Sequence, residues 1–133
     1  EGPNHERFAL ATPEGNLHEL PIMIAEIICN ANQFSTNFLG ASHPAECLSE
    51  AVNALKCKTI VMGVISSAQW NYEKNIVPYL ESMDKYLKNN VKVILGGGRE
   101  VDFPEFKNIE NVMVVKSLED FDKMLIEIKL SLR

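Results

Sequence analysis

His18 stands in the run Glu14-Gly15-Asn16-Leu17-His18-Glu19-Leu20-Pro21, between an apolar strand-like segment and a strongly apolar helical one. That placement puts an imidazole at the carboxyl end of a first β-strand, where open α/β sheets bind ligands. Neutral imidazole suits transition metals, and a polar neighbour such as Asn16, two residues earlier, can fix its second ring nitrogen. Catalytic signals elsewhere are thin. No Ser–His–acid order is suggested, no acid pair is placed for general acid–base work, and Gly96-Gly97-Gly98 lacks the Lys-Ser/Thr partner of a nucleotide P-loop. Glu73, Glu81 and Asp84 fall on what should be an outward helix face. The pattern points to a binding module rather than an enzyme, with any chemistry carried by a cofactor that the protein holds and tunes.

Short β-type runs alternate with longer helical ones, the pattern of βαβ units around a parallel sheet. The periodicity predicts strands over Arg7–Thr12, Phe34–Gly40, Thr59–Ser66, Val91–Leu95 and Val112–Lys116. A first helix runs from Leu20 to Asn32 with Pro21 at its first position, where the missing N–H costs nothing. Ile22, Met23, Ile24, Ile27 and Ile28 make it apolar on most of its circumference, so it should be covered on more than one side. His43-Pro44 opens a second helix to Lys56, with His43 at the N-cap and Leu48, Val52 and Leu55 as its buried stripe. Asn71 caps a long third helix to Asn90, in which Pro78 predicts a kink or a late start. Ser117, with Asp120 three residues on, caps the last.

Right-handed crossovers and neighbour pairing favour a five-stranded flavodoxin-like sheet of order 2-1-3-4-5, with helices on both faces. Strand 3, continuously apolar, should be its middle. Three loops then converge on one end: the His18 loop, Ser66-Ser67-Ala68-Gln69 after strand 3, and the glycine triplet after strand 4. Gly97 could instead serve only a turn that needs positive φ. Trp70 and Tyr72 either cap that end or anchor helix 3.

The 133 residues make a single domain, 46% hydrophobic and 23% charged, and no apolar run approaches the roughly 20 residues of a membrane span. A net charge of −5 argues against direct contact with nucleic acid, which needs clustered Lys and Arg. Lys85, Lys88 and Lys92 read as the solvated face of a helix and the strand after it. Cys29, Cys47 and Cys57 fit neither a metal pattern nor a disulfide framework, and read as free thiols in a reducing cytoplasm. The chain begins with Glu1, as expected of a piece of something longer. His5 falls in an N-terminal stretch with no role.

His after strand 1, Ser after strand 3 and Gly-Gly after strand 4 together resemble the cobalamin-binding domain, with its Asp-x-His-x-x-Gly signature, serine-containing segment and Gly-Gly pair. The resemblance covers nearly the whole chain, including Leu39-Gly40-Ala41-Ser42-His43-Pro44 and Ser117-Leu118-Glu119-Asp120. It implies a cobalamin, in adenosyl or methyl form, with His18 as lower axial ligand to cobalt. The nucleotide tail would enter a slot kept open by Ser66, Ser67, Gly96 and Gly97, with Gly15, Asn16, Leu17 and Val64 completing the contacts. Two positions depart from the signature. Asn16 stands in place of the acid, able to accept a hydrogen bond from the imidazole but supplying no charge, and Pro21 replaces the glycine.

Thr12-Pro13-Glu14-Gly15 and His18-Glu19-Leu20 look most like the sensory version of the domain in MerR-type transcriptional regulators. There it follows a DNA-binding winged helix and a helical bundle, neither of which lies in these 133 residues. The resemblance thus implies a sensory or regulatory module, partnered by a corrinoid, by other domains of a parent chain and by further copies of itself. Two alternatives stay open: a corrinoid carrier domain of a methyltransferase or mutase, and an interaction domain that has lost cobalamin or binds haem instead.

Overall fold

The structure, a computed structural model, describes residues 6–132. His5 lies outside them. In chain order the elements are β1 (Arg7–Pro13), α1 (Leu20–Ala31), β2 (Ser35–His43), α2 (Ala45–Leu55), β3 (Thr59–Gly63), α3 (Tyr72–Tyr86), β4 (Val91–Gly96), β5 (Ile109–Val115) and α4 (Leu118–Ser131). All strand pairs are parallel and the sheet order is β2-β1-β3-β4-β5, the flavodoxin-like arrangement expected. Leu10 of β1 pairs with Phe38 on one side and Val61 on the other, and Val61 in turn with Ile94.

Side chains alternate across each strand and so divide the core in two. Ala9, Ile60, Met62, Val93 and Leu95 pack under α2 and α3, whereas Phe8, Leu10, Val61 and Ile94 pack under α1 and α4. Phe8 through Ala11 are fully buried, which is why β1 reads as a continuous apolar run. No described helix is long and apolar enough to cross a membrane.

Several boundaries differ from expectation for identifiable reasons. β3 stops at Gly63 instead of Ser66, because Val64 and Ile65 extend the apolar run into a loop. His43 is the last residue of β2 and Pro44 is the N-cap of α2; the His43 Nε2 lies 2.7 Å from the Leu39 carbonyl oxygen. Asn71 does cap α3, accepting from the Lys74 N–H at 2.8 Å, but the helix runs through Pro78 and ends at Tyr86, where Leu87 turns extended to reach the core. Lys85 and Lys88 are exposed, and Lys92 is half-buried on β4.

β5 begins at Ile109, three residues early, since Glu110 and Asn111 hide an edge strand behind polar residues. Asp84 is not on a free outward face: its carboxylate accepts from the Lys107 and Asn108 N–H groups and pins the segment before β5. The outer face of α1 is uncovered among the described residues, with Leu20 65%, Met23 47% and Ile27 67% exposed. Trp70 and Tyr72 are buried in the core under α2 and α3, where they anchor α3.

Candidate cofactor site

The sheet reverses its winding between β1 and β3, and the loops after both strands meet at that point. Residues 14–19 form a loop in which Asn16 makes three of the bonds and the Glu19 carboxylate accepts another from the Ala41 N–H at 2.9 Å. The Asn16 N–H donates to the Pro13 carbonyl at 3.0 Å, its Oδ1 accepts from the His18 N–H at 3.1 Å, and its Nδ2 donates to the Ile65 carbonyl at 3.1 Å. The side chain is 1% exposed. Asn16 therefore turns the loop and ties it to the end of β3, and its oxygen serves the His18 backbone, not the imidazole. An ionised aspartate has no hydrogen to give Ile65, so the amide is the residue this geometry requires.

Gly15, at φ +91°, donates its N–H to Ser42 Oγ, and a Cβ there would lie 3.4 Å from Trp70. His18 and Leu17 project from the loop into solvent. Leu17 is 75% exposed, and among the described residues no group hydrogen-bonds the His18 ring.

Beside this loop a cavity of about 190 Å³ opens between the carboxyl end of the sheet and the first turns of α1 and α4. Its floor is Val61, Gly63 and Gly96; Ile22, Ala25 and Phe121 form its walls, and Pro21, Ile65 and Leu118 its rim. By strand alternation Gly63 and Gly96 face the same side as Val61 and Ile94, toward the cavity. A Cβ on Gly96 would meet only the Met62 carbonyl oxygen, at 3.7 Å, and so would stand in open space; one on Gly63 would crowd Ile22 Cγ2 at 3.2 Å.

Gly97 is different. Its φ of +86° and a clash of 2.8 Å between a Cβ and Ile65 Cγ1 make it a backbone requirement as well as a cavity residue. The turn reading and the slot reading of the glycine pair thus divide between its two members.

Ser66 and Ser67 do not line the cavity. Their hydroxyls accept from the Tyr72 and Trp70 N–H groups at 2.9 and 3.2 Å and so build the approach to α3. Ile65, one residue earlier, occupies the cavity rim in their place. Val64 is buried among the residues under α2 and α3, on the opposite face. Gly63, Ile65, Lys116 and Phe121 are not singled out in the sequence, and Ser117 is singled out there as a helix cap and in the family resemblance, not as a cavity residue. A glycine ending the most apolar strand was the one available signal for Gly63; for the rest, only the packing of α4 over β3 and β4 brings them to the site.

No family model and no curated protein matches the sequence. Solved structures do match the fold. One is the methanol:cobalamin methyltransferase complex MtaBC from Methanosarcina barkeri, with a TM-score of 0.70 at 19% identity, covering 93% of this chain and 46% of that one. Another is a cobalamin-binding protein from Desulfitobacterium hafniense DCB-2, with a TM-score of 0.53 at 19% identity, covering 92% and 50%. The chain spans about half the length of these structures, and at such identity the likeness shows a shared fold.

Proposed function

We propose that this chain binds a corrinoid, with the nucleotide tail in the cavity and His18 presented to the cobalt. One observation carries the reading: an apolar cavity floored by two glycines opens beside an exposed, unengaged histidine at the switch point of the sheet. The fit can be judged from the residues. Gly63 and Gly96 leave space that a Cβ would fill, and Pro21 with the exposed Ile65 and Leu118 makes an apolar rim of the kind a large flat macrocycle covers. Among the described residues no group of three or more His, Cys, Asp or Glu could hold a bare ion, so His18 suits a metal whose other ligands arrive with it. Haem, weighed as an alternative, gains no support from the neighbours, whose names are those of cobalamin proteins.

When bound, the corrinoid would supply its cobalt-centred reactivity or light and ligand sensitivity. The chain's own part is to hold it. Asn16 fixes the His18 backbone but places no charge behind the imidazole, so ligation rests on the basicity of the ring alone. That arrangement suits steady binding in a sensory or regulatory module. The carrier alternative is favoured by the likeness to a methyltransferase complex.

Titration of the purified chain with hydroxocobalamin tests the reading. A shift to the histidine-ligated spectrum is expected, and His18→Ala should abolish that shift and weaken binding by about 10–100-fold or more, the order seen when support around a metal site is lost. Absence of any retained corrinoid would overturn the proposal. Sedimentation with and without the ligand separates the roles: a change in self-association favours the regulatory module, and none, with corrinoid held, favours the carrier.

A further inference from the structure

The cavity wall is apolar or glycine almost throughout, but its outer end is not. Lys116 and Ser117, the two residues joining β5 to α4, line it beside Leu118. Lys116 is the one charged residue among the described lining residues, and it is exposed, so its charge is not buried at a cost. The Ser117 hydroxyl accepts from the Asp120 N–H at 3.0 Å as the cap of α4 and keeps its own hydrogen to donate, so Lys116 is the charged group and not the only polar one at this end. Glu119 and Asp120, in the first turn of α4, do not line the cavity, and no described carboxylate forms an ion pair with Lys116. An apolar slot with a single cation at its mouth complements a flat apolar group joined to an anion.

Building on the corrinoid reading, we propose that Lys116 is a specificity-determining residue that pairs with the phosphodiester of the nucleotide tail. It thereby selects corrinoids with a complete tail over those without one. The ring of exposed apolar residues gives no such choice, since both kinds of corrinoid share the macrocycle. The lysine suits this task because it offers a mobile point charge to a phosphate oxygen without demanding one geometry.

Three probes separate the contributions: hydroxocobalamin, which has macrocycle and tail; dicyanocobinamide, stripped of its cyanide before use so that its axial positions are as open as those of hydroxocobalamin, which has the macrocycle alone; and benzimidazole ribonucleotide, which stands in for the tail alone. The chain should bind hydroxocobalamin more tightly than dicyanocobinamide. Lys116→Ala should weaken hydroxocobalamin about fivefold, as for a solvent-screened charge contact, and Lys116→Glu more, both leaving dicyanocobinamide unchanged. Lys116→Arg should restore the preference, and high salt should erode it.

Unchanged hydroxocobalamin affinity in Lys116→Ala and Lys116→Glu, or an equal loss of both corrinoids in Lys116→Glu, would overturn the assignment while leaving corrinoid binding intact. If the ribonucleotide bound as tightly as hydroxocobalamin and displaced it, with dicyanocobinamide not bound, the corrinoid reading would fail and a free nucleotide would be the partner of Lys116. Binding of none of the three would overturn both.

Discussion

At the scale of single residues, the site depends on groups that serve the backbone before any ligand. Asn16 uses both ends of its amide in this way, and Asn16→Asp is the sharpest test. At neutral pH the variant loses the donor to Ile65 and buries a carboxylate beside a carbonyl, at a cost of about 1–3 kcal/mol. As pH falls the protonated carboxyl regains a hydrogen to give, so the deficit in urea unfolding should shrink toward acid; a deficit independent of pH would count against the Ile65 bond. The two glycines should part company in the same way. Gly97→Ala is expected to lose about 1–3 kcal/mol through its positive φ and the push on Ile65. Gly96→Ala should leave the melting temperature nearly unchanged while reducing hydroxocobalamin affinity, because its Cβ would point into the slot and meet little else. If both variants lose stability alike, Gly96 is not a cavity residue.

At the scale of elements, the connection from β4 to β5 is the departure from a regular alternation of strand and helix. Residues 97–108 form no helix, yet Val101, Phe103 and Phe106 pack onto the core beneath α3. The segment is secured at both ends. Near the site, the Tyr72 hydroxyl donates to the Arg99 carbonyl at 2.6 Å, and Arg99 pairs with Glu73 across the first turn of α3. At the far end Asp84 accepts the Lys107 and Asn108 N–H groups. The Arg99–Glu73 pair is about half exposed and is worth little by itself. Asp84 holds two charge-assisted bonds, and Asp84→Ala should cost about 1.5–3 kcal/mol. Amide exchange should quicken at Asn108 and Ile109 first; uniform quickening across the sheet would show that Asp84 supports more than this segment.

For the molecule as a whole, buried acids of high pKa set how stability responds to alkali. Burial, with help from the Glu26 charge, pushes the Cys29 thiol from an ordinary 9.0 up to about 12, and burial also raises Cys57, Tyr72 and Tyr79. Between pH 9 and about 12 the unfolded chain releases the Cys29 proton and the folded one retains it. The unfolded state then binds fewer protons, so unfolding free energy must fall as pH rises, by about 1.4 kcal/mol per pH unit for each such group once its unfolded form is ionised. Urea midpoints measured at a series of pH values should be lower above pH 9 than at neutrality, and Cys29→Ala, though less stable at pH 7, should show a shallower decline. Parallel curves for the two proteins would remove Cys29 from the account.

The continuous apolar runs of β1 and β3, the capped helices and the order of the sheet were legible in the sequence because each follows from local periodicity or from the handedness of crossovers, which short stretches of chain carry by themselves. So was the meeting of the His18 loop with the loops after β3 and β4. What only the tertiary structure decided is which residues face the cavity. Val64, Ser66 and Ser67 lie within three residues of Ile65, yet one is buried on the other face, two hold the approach to α3, and Ile65 takes the rim. A shift of one residue changes the face of a strand, and periodicity alone does not mark where a strand ends. Lys116 and Phe121 reach the site from β5 and α4 across the width of the sheet, a proximity created by packing between segments far apart in the chain, which no local pattern encodes.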